Sequence, residues 1–141
     1  MVAIHDLLYQ LRLAEQSMTQ LFERQLGISL TRYQILCFLI DQSPCNQVAV
    51  QERLKIDQAA LTRHFKILEK EGFVKRRRNP ENQREVLVEM TDFAREKLVT
   101  NSPQQHIKVK SQMESVLTKG EREEFSRLLE KLQSGLEEIE I

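Results

Sequence analysis

The chain has 141 residues, 40% hydrophobic and 30% charged, with 21 Lys or Arg balanced by 21 Asp or Glu; this is the size and composition of one ordinary globular domain. No apolar run approaches the ~18 residues that a spanning helix needs, which argues against a membrane protein. The neutral total conceals a segregation: residues 53–84 carry ten Lys or Arg against four Asp or Glu, a net of +6, and residues 111–141 carry four against eight, a net of −4, so a local polyanion-binding surface is expected rather than general adhesion.

In chain order, the start "MVAIHDLLYQ" has Asp6 early and no basic segment ahead of an apolar one. It does not read as a signal peptide, and the cytoplasm is the expected compartment. From Ile4 to Leu26 apolar residues recur at three- and four-residue steps, which predicts a long first helix ended by Gly27. After Ser29, "LTRYQILCFLI" is apolar nearly all round and predicts a second helix buried in the middle of the fold and stopped at Ser43-Pro44. Asn46 can cap a short third helix over "QVAVQERL", and Asp57 a fourth over "QAALTRHFKILEKE" ended by Gly72, because their side-chain oxygens accept from unpaired first-turn amides. Two short helices joined so tightly, around Lys55-Ile56, predict helix-turn-helix geometry. "FVKRRR" and "REVLVEM" then flank "NPENQ" as the strands of a hairpin. Thr91-Asp92 can cap a fifth helix that runs past Lys97, with a break near Ser102-Pro103, and a last helix follows Thr118.

On the fourth helix Leu61, Phe65 and Leu68 mark an inward face, and Gln58, Thr62, Arg63, Lys66 and Lys70 the opposite one. Such a face suits the major groove of DNA, with Gln, Thr and Arg toward base edges and lysines toward phosphates, although an isolated helix of this kind could equally be a solvated surface. In a strand neighbours alternate between faces, so about half of Lys75, Arg76, Arg77 and Arg78 are expected toward DNA, and Arg77 could instead pair across the hairpin with Glu85.

The stretch "LTRHFKILEKEGFVKRRRNPENQREVLVEMT" resembles the recognition helix and wing of the MarR family of winged helix-turn-helix transcriptional regulators, and the helices before and after it extend the resemblance over nearly the whole chain. The resemblance implies a mainly α fold with a small β-hairpin wing: a DNA-binding domain over residues 29–91, and a helical dimerisation region from residues 1–28 and 92–141. It implies base- and phosphate-contacting roles for Thr62 and Arg63, and a minor-groove role for Arg84. The candidate DNA-contacting set is Gln58, Ala59, Thr62, Arg63, Lys66, Lys75, Arg76, Arg77, Arg78, Gln83 and Arg84. The chain departs from the family pattern at Asn79 and Asn82, where aspartates are usual, at Gln83 in place of an arginine, at Lys55 in place of a glycine and at Gln51 in place of a small alanine.

The terminal helices carry apolar stripes, Ile4, Leu7, Leu8 and Leu11 in the first and Phe125, Leu129, Leu132 and Leu136 in the last. These exceed what a domain of this size covers alone, so a homodimer on a pseudo-palindromic site is expected, with an intramolecular bundle as the alternative. The resemblance further implies a repressor released by a small ligand, in a pocket between the second helix and the first and fifth that Tyr33 could line. Cys37, inside "ILCFLI", is expected to be buried and inert; Cys45, at the expected start of the third helix, is the redox candidate, since a helix dipole can lower a thiol pKa. His5, His64 and His106 form no local ligand motif, so neither a metal site nor a cofactor is expected, and His64 is expected to flank the DNA surface. No phosphate-binding glycine loop or nucleophile motif is present, which argues against an enzyme. The remaining alternatives are a redox- or metal-responsive regulator, and a winged-helix module for protein or RNA without specific DNA binding.

Overall fold

A computed structural model describes residues 1–100 and 104–139, and the chain divides into two compact units, the second beginning at Gln104. In the first unit, α1 (Ile4–Leu26) ends at Gly27, whose left-handed backbone (φ 69°) lets its N–H reach the Glu23 carbonyl at 3.2 Å. Ser29 starts α2 (Leu30–Gln42), its hydroxyl accepting from the Arg32 N–H at 3.1 Å. Helix α2 packs into the core as expected, through one face on which Ile35, Leu36 and Leu39 have no exposure, while Cys37, expected to be buried, is exposed. At 3.6 residues per turn, positions 35, 36 and 39 share a side and 37 falls opposite.

Asn46 caps α3 (Gln47–Leu54) through Ala49 N–H at 2.7 Å, and Asp57 caps α4 (Gln58–Lys70) through Ala60 N–H at 2.9 Å. The connection is tight because Lys55 turns the chain in the left-handed region, φ 56° and ψ 44°. Leu61, Phe65 and Leu68 lock α4 into a core shared with Val50 of α3 and the buried face of α2. At the end of α4, Gly72 (φ 82°) redirects the chain into the sheet.

Strands β2 (Val74–Asn79) and β3 (Asn82–Met90) form the hairpin, with Pro80-Glu81 alone at its tip, so both strands extend further into the expected "NPENQ" turn than the sequence suggests. A third strand, β1 (Cys45–Asn46), pairs antiparallel with Val88 and Leu87 and gives the order β1-β3-β2. It was not foreseen, because two residues after a proline are too few to show alternation. Its presence corrects the placing of Cys45, which lies in a strand before the Asn46 cap; there partial burial pushes the thiol pKa up, against the lowered value expected at a helix start.

Beyond the sheet, α5 (Asp92–Arg95) passes into a π-helical turn over Glu96–Thr100. Thr91 both caps α5, accepting from Ala94 N–H at 3.1 Å, and donates its hydroxyl to the Gly72 carbonyl at 2.6 Å. The expected break near Ser102-Pro103 lies outside the described residues. The second unit consists of α6 (Gln104–Val116) and α7 (Lys119–Glu137), with a Thr118–Glu121 capping box at the start of α7. Among the described residues no helix is long and apolar enough to cross a membrane.

Candidate nucleic-acid interface

The recognition-helix candidate is α4, and burial of Leu61, Phe65 and Leu68 at 0% exposure fixes its rotation. Gln58, Ala59, Arg63, Lys66 and Lys70 are thereby exposed, with Thr62 half-buried between them. Thr62 is held on both sides: its hydroxyl donates to the Gln58 carbonyl at 2.9 Å and accepts from Gln47 Nε2 at 3.5 Å. Gln47, on α3, is not among the candidate contacts that the sequence suggests, and its contact across the turn couples the two helices of the motif. His64, on the flank, lies near Arg32 of α2. Burial and then the charges of Arg32 and Arg63 hold the His64 pKa below its ordinary 6.5, and both His64 Nδ1 and Arg32 Nε are buried without a hydrogen-bond partner among the described residues.

The hairpin register separates the four consecutive cations. Lys75 stands opposite Glu89 and Arg77 opposite Leu87, on the outer face; Arg76 stands opposite Val88 and Arg78 opposite Val86, on the face that also carries buried Val74 and Met90. Lys75 Nζ and Arg77 Nε both lie 3.9 Å from Glu89 Oε2. The Arg77 partner is therefore Glu89 and not the expected Glu85, whose carboxylate is taken by Asn79 Nδ2 at 3.0 Å. Arg76 turns inward: its guanidinium carbon is 5.8 Å from the centre of the Phe65 ring, its Nε donates to Glu69 Oε1 at 2.5 Å, and its side chain is 19% exposed. In this arrangement Arg76 does not belong to the exposed cationic face on which the sequence placed it.

At the tip, the two asparagines that replace aspartates organise backbone. Asn79 Oδ1 accepts from Glu81 N–H at 3.0 Å, and Asn82 Oδ1 from Arg84 N–H at 3.2 Å. Arg78 Nη1 donates to the Gln83 carbonyl at 3.3 Å, closing the ribbon below the tip. Gln83 and Arg84 are exposed, and no carboxylate among the described residues is in ion-pair contact with Arg84. Two features are thus accessible in one segment of the chain: a helix face of Gln58, Ala59, Thr62, Arg63 and Lys66, and a ribbon bearing Lys75 and Arg77 on its outer face and the exposed Arg78 and Arg84 near its tip. Fixed cations beside short polar side chains are the chemistry of phosphate anchoring combined with base-edge contact.

The sets named for dimerisation lie in separate units. Ile4, Leu7 and Leu8 on α1 and Phe125 and Leu136 on α7 are exposed in the single chain; Leu11, Leu129 and Leu132 are half-buried. Tyr33 packs against Phe22 with ring centres 5.1 Å apart, and burial followed by the neighbouring Cys37 raises its pKa. Among the described residues no group of His, Cys, Asp and Glu is arranged to hold a metal.

The sequence profile of the MarR family matches residues 28–86, from the start of α2 to the middle of β3. The chain is 33% identical over 135 residues to the uncharacterized HTH-type transcriptional regulator YdgJ of Bacillus subtilis (strain 168), covering 96% of this chain and 82% of that protein. Among solved structures, it is similar to a mutant of MarR from E. coli complexed with operator DNA, at TM-score 0.76 and 25% identity over 92% of this chain and 94% of that one. It is also similar to Bordetella bronchiseptica BpsR, whose structure concerns regulation of its DNA binding by 6-hydroxynicotinic acid, at TM-score 0.74 and 26% identity over 89% and 91%.

Proposed function

Because the chain belongs to the MarR family of winged helix-turn-helix transcriptional regulators, DNA-binding proteins and not enzymes, we propose that it is a homodimeric repressor that reads a pseudo-palindromic operator. Gln58, Ala59, Thr62, Arg63 and Lys66 enter the major groove; Lys75, Arg77 and Arg78 contact the phosphate backbone beside it, and Gln83 and Arg84 reach toward the minor groove. The observation that carries this reading is the outward α4 face beside a ribbon whose exposed cations outnumber the carboxylates near them. The apolar stripes of α1 and α7 are covered by a second copy across a two-fold axis. That symmetry sets two recognition helices about one DNA turn, ~34–36 Å, apart. A small-molecule effector, as 6-hydroxynicotinic acid is for the DNA binding of BpsR, shifts the dimer between operator-bound and released states, and the protein works in the cytoplasm.

The test is selection from fragmented genomic DNA of the source organism with the purified protein. A short inverted repeat near promoters should be recovered, and recovery should disappear when Arg63 and Arg84 are both replaced by alanine. Fragments with no shared sequence would overturn operator recognition and favour a winged-helix module with a protein or RNA partner.

A further inference from the structure

A recognition helix and a wing bind one duplex together only if the angle between them is held. The base of the wing is anchored by Val74, Val88 and Met90, which are buried in the core. Strand β1 covers only Leu87 and Val88, so beyond that level the ribbon is two-stranded, and a two-stranded ribbon is marginal alone. Opposite Val88, Arg76 reaches from β2 to α4: its guanidinium lies over the Phe65 ring, and two of its nitrogens engage a single oxygen of Glu69, on the last turns of the helix. The Glu69 side chain is only 36% exposed and that of Arg76 19%, so the pair is partly shielded from salt. On the same helix, Lys66 and Lys70 are exposed close to Glu69. A carboxylate between these lysines opposes DNA binding by simple charge, unless it has another task.

We infer that Glu69 and Arg76 form a positioning pair that fixes the wing against the recognition helix, with Arg76 making no phosphate contact of its own. The inference rests on the DNA-binding reading and deepens it. Two consequences run against simple charge counting. Glu69→Gln removes a negative charge from a DNA-facing region, yet it should weaken binding, by roughly tenfold, as expected for loss of a directly contacting pair. Arg76→Gln removes a positive charge, yet the slope of log affinity against log salt should not change, because no counterion-displacing contact is lost.

The experiment measures affinity across a salt series for wild type, Glu69→Gln, Arg76→Gln, the double variant and Arg77→Gln, on a short duplex carrying the inverted repeat recovered by the wild-type protein. Thermal melting of each variant records folding. Expected are weaker binding by Glu69→Gln, a double variant no weaker than the poorer single one, an unchanged salt slope for Arg76→Gln, and a slope smaller by about one for Arg77→Gln. Equal or tighter binding by folded Glu69→Gln overturns the inference, as does a reduced slope for Arg76→Gln. Should Glu69→Gln fail to fold, the Arg76→Gln slope decides alone. Failure of the wild-type protein to bind any duplex at low salt would instead reject the DNA-binding reading itself, so the two failures are distinguishable.

Discussion

Lys55 holds the helix-turn-helix connection at φ 56°, a conformation that a glycine adopts freely and an L side chain does not. A left-handed non-glycine residue costs about 1–2 kcal/mol, and glycine adds roughly 0.5–1 kcal/mol of unfolded-state entropy. Lys55→Gly should therefore stabilise the protein by about 0.5–1 kcal/mol, read as a higher melting temperature; a lower one would show that the lysine side chain makes a compensating contact. His64 gives a pH dependence. Its folded-state pKa lies below 6.5 because of burial and of Arg32 and Arg63, so the unfolded chain binds the proton more tightly. Its contribution to stability is full above 6.5 and is lost as pH falls through that value toward the lower folded pKa. In His64→Gln the acid-side decline in melting temperature should be shallower, and an identical decline would remove His64 as its source.

Among the elements, Thr91 joins two, since its hydroxyl caps α5 and donates to the Gly72 carbonyl at the exit of α4. Thr91→Val keeps the shape and removes both bonds, at a cost of about 1–2 kcal/mol in a denaturant titration; no loss would mean that water replaces them. Most elements were legible beforehand for such local reasons. Asn46, Asp57 and Thr91 stand where first-turn amides need acceptors and cap their helices as expected, and Ser29 and Thr118, expected only to precede helices, cap theirs as well. What was not legible depends on register between elements distant in sequence. Nothing local to Cys45 announces pairing with Val88, and nothing in "KRRR" says that Arg76 meets Glu69 while Arg77 meets Glu89. The periodicity of α4 marks its inward face correctly, whereas in α2 the apolar composition masks which face is the outer one, and so hides the exposure of Cys37.

At the scale of the whole molecule, the exposed apolar residues of α1 and α7 call for a partner surface, and a second copy is the simplest one. Replacing Phe125 and Leu129 together by aspartate should yield monomers in sedimentation at micromolar concentration and weaken operator binding by at least tenfold, since each half-site is then bound alone. A dimer that survives this change would place the interface elsewhere. The most direct measurement is a hydroxyl-radical footprint of the protein on the recovered inverted repeat, combined with the number of chains bound per duplex. Two protected half-sites about 10–10.5 base pairs apart, centre to centre, two chains per duplex, and flanking minor-groove protection that vanishes in Arg84→Ala are the result expected. A single protected half-site with one chain per duplex would contradict the dimeric winged-helix reading at its centre.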